Sequence, residues 1–177
     1  MIIEYPNDKE KLKDIKAGDV IEFSGIIYTA RDAAHMRIRK MLDNNEPLPV
    51  DFNNSFIYDA GPTPTKPGHV IGSIGPTTSS RMDPFSSMMK ELNVVGTIGK
   101  GPRSKECTDY YINNKILYFI TTGGCGALLA KAVKEAKEIA FLDLGPESIK
   151  KLKVENFKMI CAIDYYGNNI FGGERWV

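Results

Sequence analysis

Residues 116–139 read ILYFITTGGCGALLAKAVKEAKEI. The β-branched and aromatic run at 116–121 predicts a strand. The small residues of TGGCGA interrupt it, and beyond them Leu128, Leu129, Ala132, Val133 and Ala136 form an apolar stripe that predicts a helix over 127–139. Strand, glycine-rich loop, helix is the building unit of an α/β domain.

The same unit recurs on both sides. VIEFSGII (20–27) predicts a strand, and ARDAAHMRIRKML (30–42) a helix with Ala30, Ala34, Ile38, Met41 and Leu42 on one face. Arg31, His35 and Arg39 share another face of that helix. SFIYDAG (55–61) and HVIGSIG (69–75) are short enough to be strands, joined by the stiff GPTPTKPG. Asp83-Pro84 predicts a helix start, with Asp as N-cap and Pro in the first turn, followed by a buried stripe of Phe85, Met88, Met89 and Leu92. VVGTI (94–98) leads through GKGPRS into a helix with Cys107, Tyr110 and Tyr111 on one face. IAFLDL (139–144) predicts another strand, and 159–171 a hairpin turning at Gly167-Asn168. The sum is an α/β fold with a mixed, partly parallel sheet, in a single domain over 1–177.

Composition narrows the partners. Lys and Arg number 23 against 22 Asp and Glu, a net charge of +1, which gives no reason to expect nucleic acid or a membrane surface. The N-terminus lacks the basic–apolar–small order of a signal peptide, so a cytoplasmic location is expected. Cys107, Cys125 and Cys161 are widely spaced and odd in number, which argues against a disulfide framework. With only His35 and His69 besides, no strong metal site is expected on this chain.

Three junctions share one form: IGSIGPTTSSRMDP, TIGKGPRSKE and TTGGCGALLA. Each runs from an apolar stretch through a small-residue loop into a helix, and in parallel sheets such loops gather where ligands bind. Arg81 stands in the first loop, Lys100 and Arg103 in the second. Guanidinium, hydroxyl and backbone N–H groups together suit a carboxylate or phosphate. No Walker loop is present, and GKGPRS departs from the dinucleotide fingerprint by ending in serine. Arg31 and His35 read equally well as a solvated helix face, and Thr77 or Thr78 as a turn cap. From residue chemistry the chain is an anion-binding α/β domain without a complete catalytic set.

The strings GIIYTARDAAHMR, FIYDAGP, IGSIGPTTSSRMDPF, IGKGPRS and TTGGCGALLA, in this order, resemble the β subunit of the iron–sulfur class I fumarases and L(+)-tartrate dehydratases. The resemblance runs from about Gly18 to the end, and ARDAAH with GPTT-x-x-RMD is the specific pair. It implies a three-layer β/β/α swivelling domain. It implies a hydro-lyase that reversibly hydrates fumarate to (S)-malate, with L(+)-tartrate dehydration and a non-catalytic anion-binding or assembly module as alternatives. It also implies a fumarase-type α subunit as partner, holding a [4Fe-4S] cluster that this chain does not ligate. A homodimer of β chains is a further expectation. By motif position, Arg31, Arg81 and Lys100 correspond to a cationic clamp for the dicarboxylate substrate, and Thr77 to the residue that moves the carbon-bound proton. His35 is expected to orient Arg31 or a carboxylate, or simply to pack. Arg103 is expected at the rim, and Ser79-Ser80 to affect loop stiffness rather than chemistry.

Overall fold

In a computed structural model, which describes residues 1–172, the α/β reading with a mixed sheet holds; the end of the 1–177 domain span lies outside the described residues. The strands are β1 (Ile2–Glu4), β2 (Val20–Thr29), β3 (Phe56–Tyr58), β4 (Gly96–Gly99), β5 (Leu117–Ile120), β6 (Val133–Ala140) and β7 (Ile149–Ile163). The helices are α1 (Asp32–Asp43), α2 (Ser86–Glu91), α3 (Lys105–Asn114) and α4 (Gly126–Ala132). None of the described helices is long and apolar enough to cross a membrane.

Strands β1 to β5 pair in parallel, in sequence order. The long β7 runs antiparallel to β5 and β6 and also pairs with β2, from Val20↔Ile160 to Thr29↔Lys150. That second pairing closes β2, β3, β4, β5 and β7 into a barrel, with β1 and β6 outside the ring as edge strands. Closure needs a bend. One extra residue in β7 around Asn156 (φ 52°), opposite the step from Phe23 to Gly25 in β2, supplies it as a bulge. The bulge also keeps the inward phase, because Leu152 and Val154 before it, and Phe157, Met159 and Cys161 after it, join one buried cluster.

That cluster draws on all five barrel strands, including Phe23, Phe56, Tyr58, Ile98 and Phe119. A second one takes the alternate residues Ile57 and Tyr118 and packs them against Ala34 and Ile38 of α1, Met88 and Met89 of α2, and Cys107 and Tyr111 of α3. Strand alternation thus separates barrel interior from helix-facing exterior, as the period of two requires. The apolar stripes read for α1, α2 and α3 all face this outer layer.

Several local expectations are overturned. The segment 133–140 is strand, not the second half of a helix. Its Glu135 and Glu138 pair with Lys153 and Lys150 of β7, so cross-strand charge and ladder bonds override the helical pattern. The run 139–144 is not a strand of its own: Phe141 at φ 57° ends β6, and a 3-10 turn follows over Leu142–Glu147. Residues 69–75 form no strand either. They lie as irregular chain held by Thr63 N–H to Ser73 C=O (2.9 Å) and Ile74 N–H to Gly126 C=O (3.0 Å). Asp83-Pro84 does not open the helix, because Ser79–Phe85 is a 3-10 segment and α2 starts at Ser86. After β7 the chain turns at Gly167, but only the single bridge Ile163–Asn169 forms there. The Asp164 carboxylate closes that turn by accepting from the N–H groups of Tyr166 and Asn168.

Phe23 lies within 5.0 Å of Phe56 and 6.1 Å of Tyr5, ring to ring, fully buried. Phe23→Ala is expected to cost about 3–5 kcal/mol of folding stability, measured by urea denaturation. A loss under about 1 kcal/mol would show that the barrel core collapses around the gap.

Candidate active site

Because β2 to β5 are parallel, their carboxyl ends meet at one rim of the barrel. Beyond them come Arg31 after β2, Asp59 after β3, Lys100 after β4, and the Thr121–Gly124 loop after β5. The GPTTSS loop lies across two of these ends. Pro76 bridges Ala60, and Thr78 bridges Lys100. Thr77 N–H donates to Asp59 C=O at 2.7 Å, and Ser79 N–H to Lys100 C=O at 3.0 Å. Thr77 is thereby fixed by its backbone between the ends of β3 and β4. Among the described residues its hydroxyl makes no hydrogen bond, and Arg81 follows it on the 3-10 segment.

Arg31 and Arg81 converge on one carboxylate. Asp32, the first residue of α1, has Oδ2 3.4 Å from Arg31 Nε and Oδ1 2.9 Å from Arg81 Nε. Glu147 reaches Arg31 Nε at 3.6 Å and accepts Ala33 N–H at 2.8 Å, capping the start of α1 from across the rim. The Lys100 side chain extends over Gly123, where an added Cβ would lie 3.1 Å from its Cδ. Thus Arg31, Thr77, Arg81 and Lys100 occupy one rim. A cavity of about 770 Å³ between 63–73 and the α4–β6 segment is lined by none of them.

Beneath the rim is a charge cluster that sequence reading missed. Arg103 is not a rim cation; its side chain is 1% exposed. It donates to Ser79 C=O (3.0 Å), Tyr111 Oη (3.1 Å) and Asp59 Oδ2 (3.4 Å), with its face against the Tyr111 and Tyr118 rings. Its Nε lies 2.8 Å from Asp83 Oδ1 while the N–H points at Cys107 Sγ, so the Asp83 contact is an ion pair rather than an aligned hydrogen bond. Asp83 Oδ2 accepts Ser104 N–H at 2.7 Å, which is where the RMD carboxylate acts instead of capping its own helix. Ser79 Oγ donates to Asp59 (2.8 Å) and accepts from Lys100 N–H (3.1 Å), so this serine ties the three rim loops together. Gly99 permits the meeting, because a Cβ there would overlap Ser79 Oγ. The signal available in sequence was the lone acid closing the apolar run FIYD.

Burial works against the Arg103 charge, but Tyr111 and Asp59 more than offset it and keep the guanidinium protonated. Burial raises the Asp59 carboxyl to about 6, opposed by Arg103 and by the Ser79 hydrogen bond.

The family described as fumarase C-terminus matches residues 2–173. The chain belongs to the fumarase C-terminus family. It is 44% identical over 169 residues to "Putative L(+)-tartrate dehydratase subunit beta" of Methanocaldococcus jannaschii, covering 92% of this chain and 87% of that one. It is 37% identical over 182 residues to L(+)-tartrate dehydratase subunit beta of Escherichia coli K12, covering 98% and 88%. To fumarate hydratase 2 of Leishmania major it is 37% identical over 173 residues, 96% of this chain but 30% of that protein.

In this member of the fumarase C-terminus family, the thiols do not fit an iron–sulfur cluster. Cys161 belongs to the barrel-interior cluster and Cys107 to the outer one, while Cys125 precedes α4. Burial raises the Cys107 thiol to about 11 and the Cys161 thiol to about 12, disfavouring the thiolate that would ligate iron. Among the described residues no group of three His, Cys, Asp or Glu side chains converges on a metal position.

His35 does not share the rim surface. It is 1% exposed, its ring lies 5.5 Å from that of Phe85 at a 40° tilt, and its Nδ1–H donates to Arg31 C=O at 3.1 Å. It therefore holds the backbone at the start of α1 rather than presenting a charge. Burial lowers its pKa from 6.5 to about 4, with the Arg31 carbonyl pulling the other way. The unfolded chain then binds this proton first, so stability present above pH 6.5 is lost as pH falls toward 4, by up to roughly 3 kcal/mol. Asp59, raised above its ordinary 3.8, contributes with the opposite slope: its share is present below that value and lost as pH rises through about 6. His35→Gln is accordingly expected to flatten or invert the loss of stability between pH 6.5 and 4, as read by urea melts. An unchanged slope would show that His35 titrates normally in the fold.

Proposed function

We propose that the chain is the β subunit of a heteromeric hydro-lyase that reversibly hydrates fumarate to (S)-malate, acting on a short dicarboxylate gripped at the barrel rim. The observation that carries this reading is the convergence of Arg31 and Arg81 on one carboxylate, beside Thr77 and Lys100. The names of the relatives support the hydro-lyase class and, through "subunit beta", an α partner. A second reading, L(+)-tartrate dehydration, is favoured by the names of the relatives of similar length. The two share their chemistry: water leaves from, or adds to, carbons flanked by carboxylates.

In this account the two guanidinium groups bind the carboxylates in forked geometry. Loss of the proton beside a carboxylate builds negative charge, which the Lys100 ammonium and Arg81 stabilise more strongly than they do the ground state. Thr77, held by Asp59 C=O with its hydroxyl unengaged, positions or relays that proton. A neutral threonine is a weak base, so its nearness to cations that favour an alkoxide is part of the proposal. The holoenzyme's [4Fe-4S] cluster is assigned to the partner, a placement supported by the dispersed thiols of this chain. The domain is proposed to swivel as a three-layer unit against that partner in the cytoplasm, and to pair with a second β chain.

Anaerobic assembly with the α partner, iron and sulfide is expected to give turnover of fumarate, malate or L-tartrate, with this chain inactive and colourless on its own. A brown chromophore in the isolated chain would contradict the two-subunit reading. Arg81→Ala in the complex is expected to lower kcat/KM by about two orders of magnitude or more. Gly123→Ala offers a gentler probe: its methyl group would displace Lys100, lowering turnover with an unchanged melting temperature. Wild-type kinetics in Lys100→Ala would remove Lys100 from the reacting surface.

A further inference from the structure

We propose that Asp32 is a positioning residue that aims Arg31 and Arg81 together at a single dicarboxylate; this rests on the hydro-lyase reading above. One carboxylate takes both guanidinium groups by the same atom, Oδ2 to Arg31 Nε at 3.4 Å and Oδ1 to Arg81 Nε at 2.9 Å. Among the described residues no hydrogen bond engages the terminal nitrogens of either arginine, and the nearest approach of each to Asp32 is through Nε. A guanidinium held at Nε keeps the fork of its two Nη groups for a second carboxylate. Asp32 thereby fixes which edge of each arginine is available.

The mounting is stiff where aiming requires it. Asp32 is the first residue of α1, whose next N–H is capped by Glu147 at 2.8 Å and whose first turn is braced by the His35 ring on Arg31 C=O. Arg31 is further flanked by Glu147 at 3.6 Å, while Arg81 is half exposed and has Asp32 as its one ionic partner among the described residues. Of the two arms, Arg81 therefore depends more on Asp32. A shared counter-ion also offsets the repulsion between two cations brought to one ligand.

Two simpler roles predict different results. An acid in the first turn of a helix gains a little from the helix dipole, which would affect stability and not kinetics. A mere counter-charge would weaken the rim for anions of every kind, so its removal would tighten them all. Aiming predicts that Asp32→Asn weakens a dicarboxylate while leaving a monocarboxylate such as propionate no weaker.

The test uses the assembled αβ complex. Asp32→Asn is expected to raise KM for the preferred dicarboxylate about tenfold with a smaller change in kcat, and Asp32→Glu to recover part of the loss. The melting temperature is expected to stay that of the wild type. In an Arg81→Ala background the same substitution should have a smaller effect, because much of its action passes through that arginine. An unchanged KM, tighter binding of every anion, or an equal effect in the Arg81→Ala background would each overturn the proposal. A wild-type complex without turnover would instead contradict the hydro-lyase reading. The same series is then read as succinate binding by calorimetry, where the same loss is expected and its absence overturns the aiming role.

Discussion

The pairing of β7 with β2 is the constraint on which the rest depends. Without it the parallel strands would form an open sheet with β2 to β5 in a row. With it they form a ring, and their carboxyl ends become a rim on which four separate loops must meet. The bulge at Asn156 makes closure compatible with a dry interior, since it restores the inward phase of β7 after the bend. Arg31, Asp59 and Lys100 then lie one or two positions beyond their strands, and the GPTTSS loop brings Thr77 and Arg81 to the same rim.

Charge is sorted by depth at this rim. Arg103, buried and fully occupied by Asp59, Asp83, Ser79 and Tyr111, joins loops and is not available to a ligand. Breaking such a pair leaves an uncompensated buried charge, a cost of about 3–5 kcal/mol, which explains why this arginine reads as structure. Arg31 and Arg81 are more exposed and approach Asp32 through Nε, and Lys100 extends across a glycine. Cations of the same formal charge thus divide into a buried brace and the clamp proposed above, according to how many of their donors are already used.

Much of the fold was legible in the sequence, and the reasons for the rest are physical. The strand read at 20–27, the α1 stripe and the Met88–Met89 face are local patterns, and they formed, the strand running on to Thr29. Residues 133–140 have a helical pattern but lie beside a fifteen-residue strand rich in lysine, and the long-range pairing prevailed. Segment 69–75 lacked a partner strand and became irregular. ARDAAH and GPTTSSRMDP singled out Arg31, Thr77 and Arg81, and the fold brings all three to one rim. They did not announce that Asp32 would join the two arginines, or that Arg103 would be buried. Those facts depend on which loops become neighbours, and only barrel closure decides that. Ser79, whose expected effect was on loop stiffness alone, proves to hydrogen-bond both Asp59 and Lys100.

The most direct measurement is a crystal structure of the αβ complex with succinate bound. The account predicts one carboxylate of the ligand within hydrogen-bonding distance of the Nη groups of Arg31 or Arg81, the other within reach of the remaining clamp, and Thr77 facing a ligand methylene. Succinate in the groove between residues 63–73 and α4, with Arg31 and Arg81 still engaged only by Asp32 and Glu147, would contradict it.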